Sequence, residues 1–558
     1  MSIQRPLLIL CCFILIQPAH SQIYKWVDAN GQMHFSDRPP EQRHSLKEPT
    51  KISVKESAKS SVEESDNNKK TASKPNPPTP QRAPNLATTD SSQQAYPPST
   101  VLKLRGLLLE HQFETLNRLL DDLQAQSESN ISAEDALFTA YATFDTEDSS
   151  LEAPLTAWVN TTPGSYVPFL ARAKYFYRQG WAIRGGKWSS ETKQKQLEGM
   201  TVYLNKAAKD LETVLSMNKQ SMVSYSLLVS IASSMGSQES AAAVADQALA
   251  ISPASYYVRA RYLQAISPRW GGSFEQMQAY ANLALKQASK NPNLKLLQGD
   301  SYADAADLKA IIGAYSVAEE LYTKALSYGE NHRTLMDRGK NSYRRENYQD
   351  AITDLNRAIS LYSEDGKYYY WRAHALTKLE QYDDAISDIE RARALRPSDK
   401  SIAKLRRWLI DEYTRQGYEL KKKYKPAEAL SKFDSALRLD PENAYLHYRK
   451  ARAHIDENQL DSALLALKKS IVLDPNAFDS YLLLDWVLAK RKDWNQIITY
   501  WDQYIAFDPN NSRAYVERGG AYYHKGDIHS AVSNAKIAAE MGNPEGKEAY
   551  EKFRHRVR

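Results

Sequence analysis

The stretch that decides the fold runs from residue 429 to residue 441 and reads Ala-Leu-Ser-Lys-Phe-Asp-Ser-Ala-Leu-Arg-Leu-Asp-Pro. The small residues Ala429 and Ala436 flank the large Phe433 at helical spacing, and Pro441 ends the stretch. In a helix these three positions share one face. A small residue lets a neighbouring helix approach closely, a large one fills the gap beside it, and the proline stops the helix. We therefore predict the second helix of a tightly packed helical hairpin.

The same small-large-small pattern recurs along the C-terminal part of the chain. Its first position falls at residues 351, 385, 429, 463, 497 and 531, so the interval is 34 residues except for one of 44. An earlier copy begins at Ala318, and prolines follow four of the copies at Pro397, Pro441, Pro475 and Pro509. Each hairpin leaves an apolar face open, so the repetition predicts a stacked solenoid. The 44-residue interval predicts a lengthened helix between Asp399 and Gln416.

This period resembles the tetratricopeptide repeat, a helix–turn–helix unit. The resemblance covers about residues 300–544 and implies an all-α fold, a right-handed superhelix of helical hairpins with a concave inner face. We assign residues 300–558 to this array. Residues 101–299 also have helical periodicity, although it is less regular, and predict an irregular α-helical domain.

The first 21 residues have the composition of an export signal. Arg5 precedes the apolar run Leu7–Ile16, and Ala19-His20-Ser21 forms a small-x-small cleavage site. The run is shorter than the ~20 residues that span a bilayer. Cleavage after Ser21 removes both cysteines, which excludes disulfides and thiol chemistry. Lipid attachment at Cys11 is a weaker alternative, because the residue before it is bulky. The expected location is the periplasm, with secretion from the cell as the alternative, and no transmembrane segment is expected in the mature chain.

Residues 22–40 predict a β-hairpin, because two alternating runs meet at Asn30-Gly31. The stretch Tyr-Lys-Trp-Val-Asp-x-x-Gly-x-x-His-Phe-Ser-Asp-x-Pro-Pro resembles domain of unknown function 4124, found at the start of many exported bacterial proteins; it carries no established chemistry. Tyr24, Trp26 and Phe35 either form an aromatic face for a glycan or peptide or make the small core of the hairpin. We favour the core, since an isolated hairpin must bury its apolar face somewhere.

Residues 41–100 are rich in Ser, Lys, Pro, Asn and Thr and predict a disordered linker. Beyond them, two short motifs in the central region each join an Arg, a Trp and a Gly pair, at residues 181–186 and 268–273. With these motifs, about residues 102–290 resemble domain of unknown function 4034, from which no activity can be carried over.

These motifs have two interpretations. Arg184 and Arg269 could bind anions beside a stacking Trp270, which would make a pocket. Alternatively, the Gly pair makes a sharp turn after Trp270, and Ser273 caps the helix that begins at Phe274. We favour the second interpretation, because it explains every residue of the motif except the arginine.

Composition and motifs give no sign of catalysis. The chain has 73 Lys and Arg against 67 Asp and Glu, and a net charge of +6 gives no general reason to expect nucleic acid. Phosphate-loop, dinucleotide, zinc-protease and nucleophile-elbow signatures are absent from the sequence. The histidines are scattered rather than set at metal-ligand spacing. We therefore expect no enzyme activity, no cofactor and no metal.

The expected binding surface is the concave face of the array. If the tetratricopeptide resemblance holds position by position, aromatic and cationic residues of each first helix point inward. These residues are Lys340, Tyr343, Tyr370, His374, Tyr418, Lys421, Tyr445, Tyr448, Arg452, Trp486, Arg513 and Tyr523. Such a wall suits an extended peptide with carboxylate or aromatic groups, although some of the rings could instead pack between helices.

The sequence thus predicts an exported, non-catalytic repeat scaffold that binds a protein or peptide in the cell envelope. The alternative is an envelope enzyme or glycan-binding protein whose site lies at the Arg-Trp-Gly-Gly motifs, with the repeats recruiting its substrate.

Overall fold

A computed structural model describes residues 24–27, 33–36, 99–187 and 191–557. Strands β1 (Tyr24–Val27) and β2 (Met33–Ser36) pair antiparallel, as predicted. The register pairs Lys25 with Phe35 and Trp26 with His34. The predicted signal peptide and residues 41–98 of the predicted linker lie outside the described residues, whereas the last two linker residues, Ser99 and Thr100, cap and begin α1.

Ten α-helices precede the repeats among the described residues. They are α1 (Thr100–Leu109), α2 (Phe113–Ser129), α3 (Glu134–Ala142), α4 (Glu152–Thr161), α5 (Val167–Arg184), α6 (Gln194–Met217), α7 (Met222–Ser234), α8 (Gln238–Ile251), α9 (Tyr256–Ala265) and α10 (Phe274–Ala284). Their main core surrounds Trp158, which stacks on Phe113 at 6.2 Å between ring centroids and donates its Nε1–H to Asn117 at 3.0 Å. The most extensive pairings of consecutive helices among these ten are those of α5 with α6 and of α7 with α8.

Fifteen further helices form the repeat array. They are α11 (Leu297–Ile311), α12 (Tyr315–Leu326), α13 (His332–Arg344), α14 (Tyr348–Leu361), α15 (Gly366–Lys378), α16 (Tyr382–Leu395), α17 (Lys400–Lys422), α18 (Pro426–Leu439), α19 (Ala444–Asp456), α20 (Leu460–Leu473), α21 (Phe478–Lys490), α22 (Trp494–Phe507), α23 (Ser512–Lys525), α24 (Ile528–Glu540) and α25 (Pro544–Phe553). Each odd helix from α11 to α23 pairs with the even one after it, and α25 packs on the last pair. The 23 residues of α17 confirm the lengthened helix.

The triad positions are buried between the paired helices, as the sequence predicts. Ala429, Phe433 and Ala436 are all buried on α18. Across from them, a Cβ added at Gly417 of α17 would lie 2.7 Å from the Phe433 ring, so only glycine fits there without a shift. The prolines stand two residues past the helix ends: Pro441, for example, follows α18, which ends at Leu439.

The turn between the two helices of each repeat has a recurring backbone conformation that the small-large-small pattern does not predict. One residue, two positions before the second helix, adopts the left-handed backbone conformation. Non-glycine residues fill the position at Glu346, Glu380, Tyr424, Asn458 and Lys492, with φ between 56° and 65°, and glycine fills it at Gly313 and Gly526. His111 before α2 and Gly236 before α8 share this conformation. Two hairpins of the preceding helical region therefore use the same turn as the repeats.

The helical region and the array close on each other. The carboxylate of Glu364, in the loop between α14 and α15, accepts hydrogen bonds from the backbone N–H of Thr100 (3.1 Å) and Val101 (3.4 Å) and from the Ser99 hydroxyl. A negative charge at these orphan N–H groups is favourable. Helix α1 also touches α16, so the first hairpin meets the eighth. Residues Ser99–Lys187 and Thr192–Arg558 form one compact unit, and the predicted boundary at residue 300 falls inside it.

Candidate functional site

The predicted groove residues all lie on odd-numbered helices, the first helix of each hairpin. Tyr343 is on α13, Tyr370 and His374 are on α15, and Tyr418 is on α17. The structure divides the set into separate groups with different surroundings.

The first group is the α13–α15 aromatic cluster, formed by Lys340, Tyr343, Tyr370, Trp371 and His374. The His374 ring lies 4.7 Å from Tyr370 and 5.7 Å from Tyr343, and the Lys340 Nζ lies 5.5 Å from the Trp371 ring centroid. Burial lowers the pKa of His374 to about 4, so its imidazole is neutral near pH 7. Trp371 is a member that the sequence analysis missed, although it directly follows Tyr370.

The second group is the α17–α19 cation–aromatic cluster, formed by Tyr418, Tyr445, Tyr448, Arg449 and Arg452. The Arg449 guanidinium lies 5.1 Å from the Tyr418 ring centroid and 4.8 Å from that of Tyr445, and its Nε–H donates to the Tyr445 hydroxyl at 2.6 Å. Arg452 lies 5.8 Å from the Tyr448 ring. Tyr445 and Tyr418 are 51% and 39% exposed, so the cluster faces solvent. The sequence analysis missed Arg449, which sits at its centre.

The charge of this second cluster is not balanced by nearby carboxylates. Neither Arg449 nor Arg452 forms an ion pair with any residue that the structure describes. Lys421, which was also expected to point into the groove, is instead 2.7 Å from the Asp456 carboxylate. The two guanidinium groups lie over tyrosine rings and have no carboxylate partner in the described part of the chain. This arrangement can bind the carboxylate of another molecule.

The three remaining groove residues lie toward the C-terminal end. Trp486 on α21 is 44% exposed, with the Nζ of Lys490 at 5.2 Å from its ring. Arg513 is already paired with Glu517 on its own helix and with a second carboxylate on α25. Tyr523 packs on Phe553 at 4.7 Å between ring centroids. Trp486 is thus an exposed aromatic residue on the next odd-numbered helix, whereas Arg513 and Tyr523 hold the end of the array together.

The two Arg-Trp-Gly-Gly motifs meet through their tryptophans. The rings of Trp181 and Trp270 lie 6.2 Å apart and are almost perpendicular, at 88°. Arg184 folds back on its own loop, with its Nη1 donating to the carbonyl oxygens of residues 185 and 187 at 3.1 Å and 3.0 Å. Its guanidinium also lies 5.0 Å from the Trp181 ring.

The second motif is built as the turn interpretation expects. Gly271 has φ of +86°, and a Cβ at Gly272 would lie 1.9 Å from the carbonyl oxygen of Ile266. The Ser273 hydroxyl accepts the Gln276 N–H at 3.2 Å and caps α10. Arg269, the residue that this interpretation left unexplained, reaches α11 and pairs with two aspartates at 3.1 Å and 2.9 Å. Both arginines of the expected pocket therefore already have acceptors within the chain.

A cavity of about 230 Å³ lies where the helical region before the repeats closes on the repeat array. Side chains from six odd-numbered helices, α1, α3, α5, α9, α13 and α15, from Leu395 at the end of α16, and from loops form its wall. Its charged lining consists of Arg105, Lys174, Arg178, Arg261, Arg333, Lys367 and Arg396 together with Asp145, Glu147, Glu364, Asp365 and Asp399. The sequence analysis missed this site.

Two further features are absent from the residues that the structure describes. They contain no group of three or more His, Cys, Asp or Glu side chains that could hold a metal ion. Nor does any helix among them combine the length and the apolar character needed to cross a lipid bilayer.

Comparison with known families confirms the three resemblances. Residues 336–400 and 420–483 each match a tetratricopeptide repeat family, residues 100–240 match domain of unknown function 4034, and residues 9–98 match domain of unknown function 4124. The match to domain of unknown function 4124 extends well past the predicted hairpin, and the match to domain of unknown function 4034 ends before the second motif at residues 268–273. The chain therefore carries tetratricopeptide repeats that follow two domains of unknown function.

Individual relatives resemble only parts of the chain. The Hsp70-Hsp90 organizing protein of Triticum aestivum is 26% identical over 143 residues, which are 25% of this chain and 24% of that protein. Among solved structures, YrrB, described as a tetratricopeptide protein with an unusual peptide-binding site, is 21% identical, with a TM-score of 0.23 and coverage of 35% of this chain and 97% of YrrB. The TPR2AB domain of yeast Sti1, in complex with pHSP90, is 19% identical, with a TM-score of 0.19 and coverage of 40% and 97%.

Proposed function

We propose that this protein is an exported, non-catalytic scaffold whose repeat array binds an extended peptide segment of a partner in the cell envelope. The observation that carries the proposal is the α17–α19 cation–aromatic cluster. Its arginines have no carboxylate partner in the described part of the chain, and two of its tyrosines, Tyr418 and Tyr445, are exposed. A repeat array of tetratricopeptide type supports a protein-binding role, and solenoids use their concave surfaces in this way.

The chemistry of the cluster indicates the kind of peptide. Guanidinium groups bind carboxylates through paired hydrogen bonds, and exposed Tyr445 with Trp486 further along offers flat surfaces for aromatic or proline side chains. We therefore infer a segment that combines acidic and aromatic residues. It would lie along α17, α19 and α21, because the two preceding odd-numbered helices, α13 and α15, contribute side chains to the wall of the cavity.

The test measures peptide binding by fluorescence anisotropy with the full mature chain. The probes are labelled ten-residue peptides of alternating Asp and Tyr, and matched peptides in which Asn or Lys replaces Asp. We expect the acidic peptide to bind best, and Arg449→Met with Arg452→Met to weaken it about tenfold or more, since a hydrogen bond to a charged group contributes about 1.5–3 kcal/mol.

The matched control is Arg357→Met, which removes an exposed arginine that pairs with Glu330. This variant should bind the acidic peptide as the unmodified chain does. Equal binding of the Asp and Asn peptides, or unchanged affinity in the double variant, would show that the cluster does not select carboxylates.

Export has its own test. When the full gene is expressed in a bacterium, the chain recovered from the periplasmic fraction should begin at Gln22, as measured by intact mass. A chain that keeps Met1 and remains in the cytoplasm would contradict the export proposal without affecting peptide binding.

A further inference from the structure

The charges that line the cavity are only partly paired with one another. Lys174 lies 3.6 Å from Asp145, and Arg178 lies 2.5 Å from Glu147. Arg396 lies 3.7 Å from Asp365 and 3.3 Å from Asp399, the residue that caps α17. The fifth lining carboxylate, Glu364, is engaged by the N-terminus of α1. Arg105 pairs with Asp148, outside the lining. All five lining carboxylates therefore already have partners.

Three cations remain without an ion pair among the described residues: Arg261, which is half-buried, and Arg333 and Lys367, which are exposed to solvent at the cavity. The hydrogen bond that Arg261 makes is to the neutral amide of Gln264, at 3.1 Å. Burial, followed by repulsion from Arg333, lowers the pKa of Arg261, and burial lowers the pKa of Lys367. Asp300 interacts with Arg333, but burial raises the pKa of this carboxyl to about 7, so it neutralises the guanidinium only in part.

The rest of the wall supplies neutral polar and aromatic groups. His332 shares a hydrogen bond with the Tyr368 hydroxyl at 2.6 Å, and burial lowers its pKa to about 3, so the imidazole is uncharged. Tyr257 stacks on Phe138 at 3.9 Å between ring centroids. A cavity needs a volume of about 10–15 Å³ to hold one water molecule. A cavity of about 230 Å³ thus has room for a small molecule.

We propose that this cavity binds a small polyanion, a molecule with two or more phosphate or carboxylate groups, held by Arg261, Arg333 and Lys367. The guanidinium fork matches both oxyanions, and the ammonium adds a point charge. The ligand would relieve the repulsion between Arg261 and Arg333 and bridge α9, α13 and α15. This site is separate from the peptide-binding surface and does not depend on the proposed function.

The test follows the thermal unfolding of the full mature chain in the presence of pyrophosphate or citrate. Sodium chloride at matched ionic strength is the reference for screening. We expect a saturable rise in Tm with at least one probe, and binding of about one molecule per chain by calorimetry. A response to pyrophosphate alone assigns the site to phosphate groups, and a response to citrate alone assigns it to carboxylates.

The variants Arg261→Met and Lys367→Met separate a ligand site from a structural role. Each should abolish the probe-dependent rise, while the Tm without probe stays equal or increases, because a repelling charge has been removed. Arg449→Met, in the peptide-binding cluster, should keep the full response.

Three results would overturn the proposal: no rise beyond that in sodium chloride, an unchanged response in both variants, or a lower Tm of both variants without probe. The last result would show that these cations stabilise the fold and do not form a binding site for an anion.

Discussion

The residues with left-handed backbone conformation in the repeat turns allow a prediction about stability that depends only on the backbone. Tyr424 lies between α17 and α18 with φ of 57°, and its side chain is 94% exposed. Its N–H donates to the carbonyl of Lys421 at 3.0 Å, and the N–H of Lys425 donates to that of Leu420 at 3.0 Å. Glycine can keep both hydrogen bonds and adopts this conformation without steric cost. Tyr424→Gly should therefore stabilise the turn.

The expected size follows from two opposing terms. A residue with a Cβ in the left-handed region costs about 1–2 kcal/mol, whereas glycine loses about 0.5–1 kcal/mol more entropy on folding. The exposed ring adds little, so the net gain is about 0.5–1 kcal/mol. The matched control is Gly526→Ala in the turn before α24, where φ is 92° and no atom lies within 4 Å of the added Cβ. Its loss is conformational only and should be of similar size.

The assay must be local, because repeat arrays need not unfold as a single cooperative unit. Hydrogen exchange followed by mass spectrometry reports each hairpin separately. Tyr424→Gly should slow exchange in α17 and α18 about twofold to fivefold, and Gly526→Ala should speed it in α23 and α24 by a similar factor. Faster exchange in the first variant, or the same direction in both, would refute the assignment of these positions as strained.

Three other outcomes are expected. Glu364→Gln removes the charge at the N-terminus of α1 and should destabilise its docking by about 1 kcal/mol, seen as faster exchange confined to α1. Gly520→Ala, with no atom within 4 Å of the new Cβ, should raise Tm through helix propensity, whereas Gly546→Ala, whose Cβ would lie 2.5 Å from that of Ala538, should lower it. Burial, followed by repulsion from Asp307, raises the pKa of Asp337 to about 7 in the folded chain, against about 3.9 in the unfolded chain. The folded state therefore binds this proton more tightly, so the free energy of unfolding falls as pH rises from about 4 to about 7. Asp337→Asn should flatten the dependence of Tm on pH over that range, and an unchanged slope would assign the effect to other groups.

The fold was predictable from the sequence because its determinants are local. Ala429, Phe433 and Ala436 form one helical face whatever surrounds it, and Pro441 stops the helix by its own covalent structure. Ser273 capped α10 as expected, because a capping serine needs only the backbone that follows it. The lengthened α17 was visible as ten extra residues of helical spacing. Each of these features depends on residues within one or two turns of a helix.

The sites were less predictable, because they depend on contacts between distant residues. Arg513 was expected to face a partner, yet it reaches α25, and the sequence does not show that this helix folds back. Arg449 was missed because its importance comes from Tyr418 on another helix. The cavity combines Arg105 with Asp399, nearly 300 positions later in the chain. Closure of the first hairpin against the eighth has no periodic signal, since it depends on the summed curvature of all the intervening hairpins.

Helix α17 connects the two proposed sites and also keeps them apart. Its capping residue Asp399 lines the cavity, and Tyr418, nineteen residues further along, belongs to the cation–aromatic cluster. At 1.5 Å per residue the two ends lie about 28 Å apart, beyond the Debye length of about 8 Å at physiological salt. A repeat without the ten extra residues would bring the two groups of cations closer, and each would weaken the other's field. The variants should therefore act independently, with Arg261→Met changing only the response to the polyanion and Arg449→Met changing only peptide affinity. If a variant at one site changed binding at the other, α17 would have to shift between two positions that connect the sites.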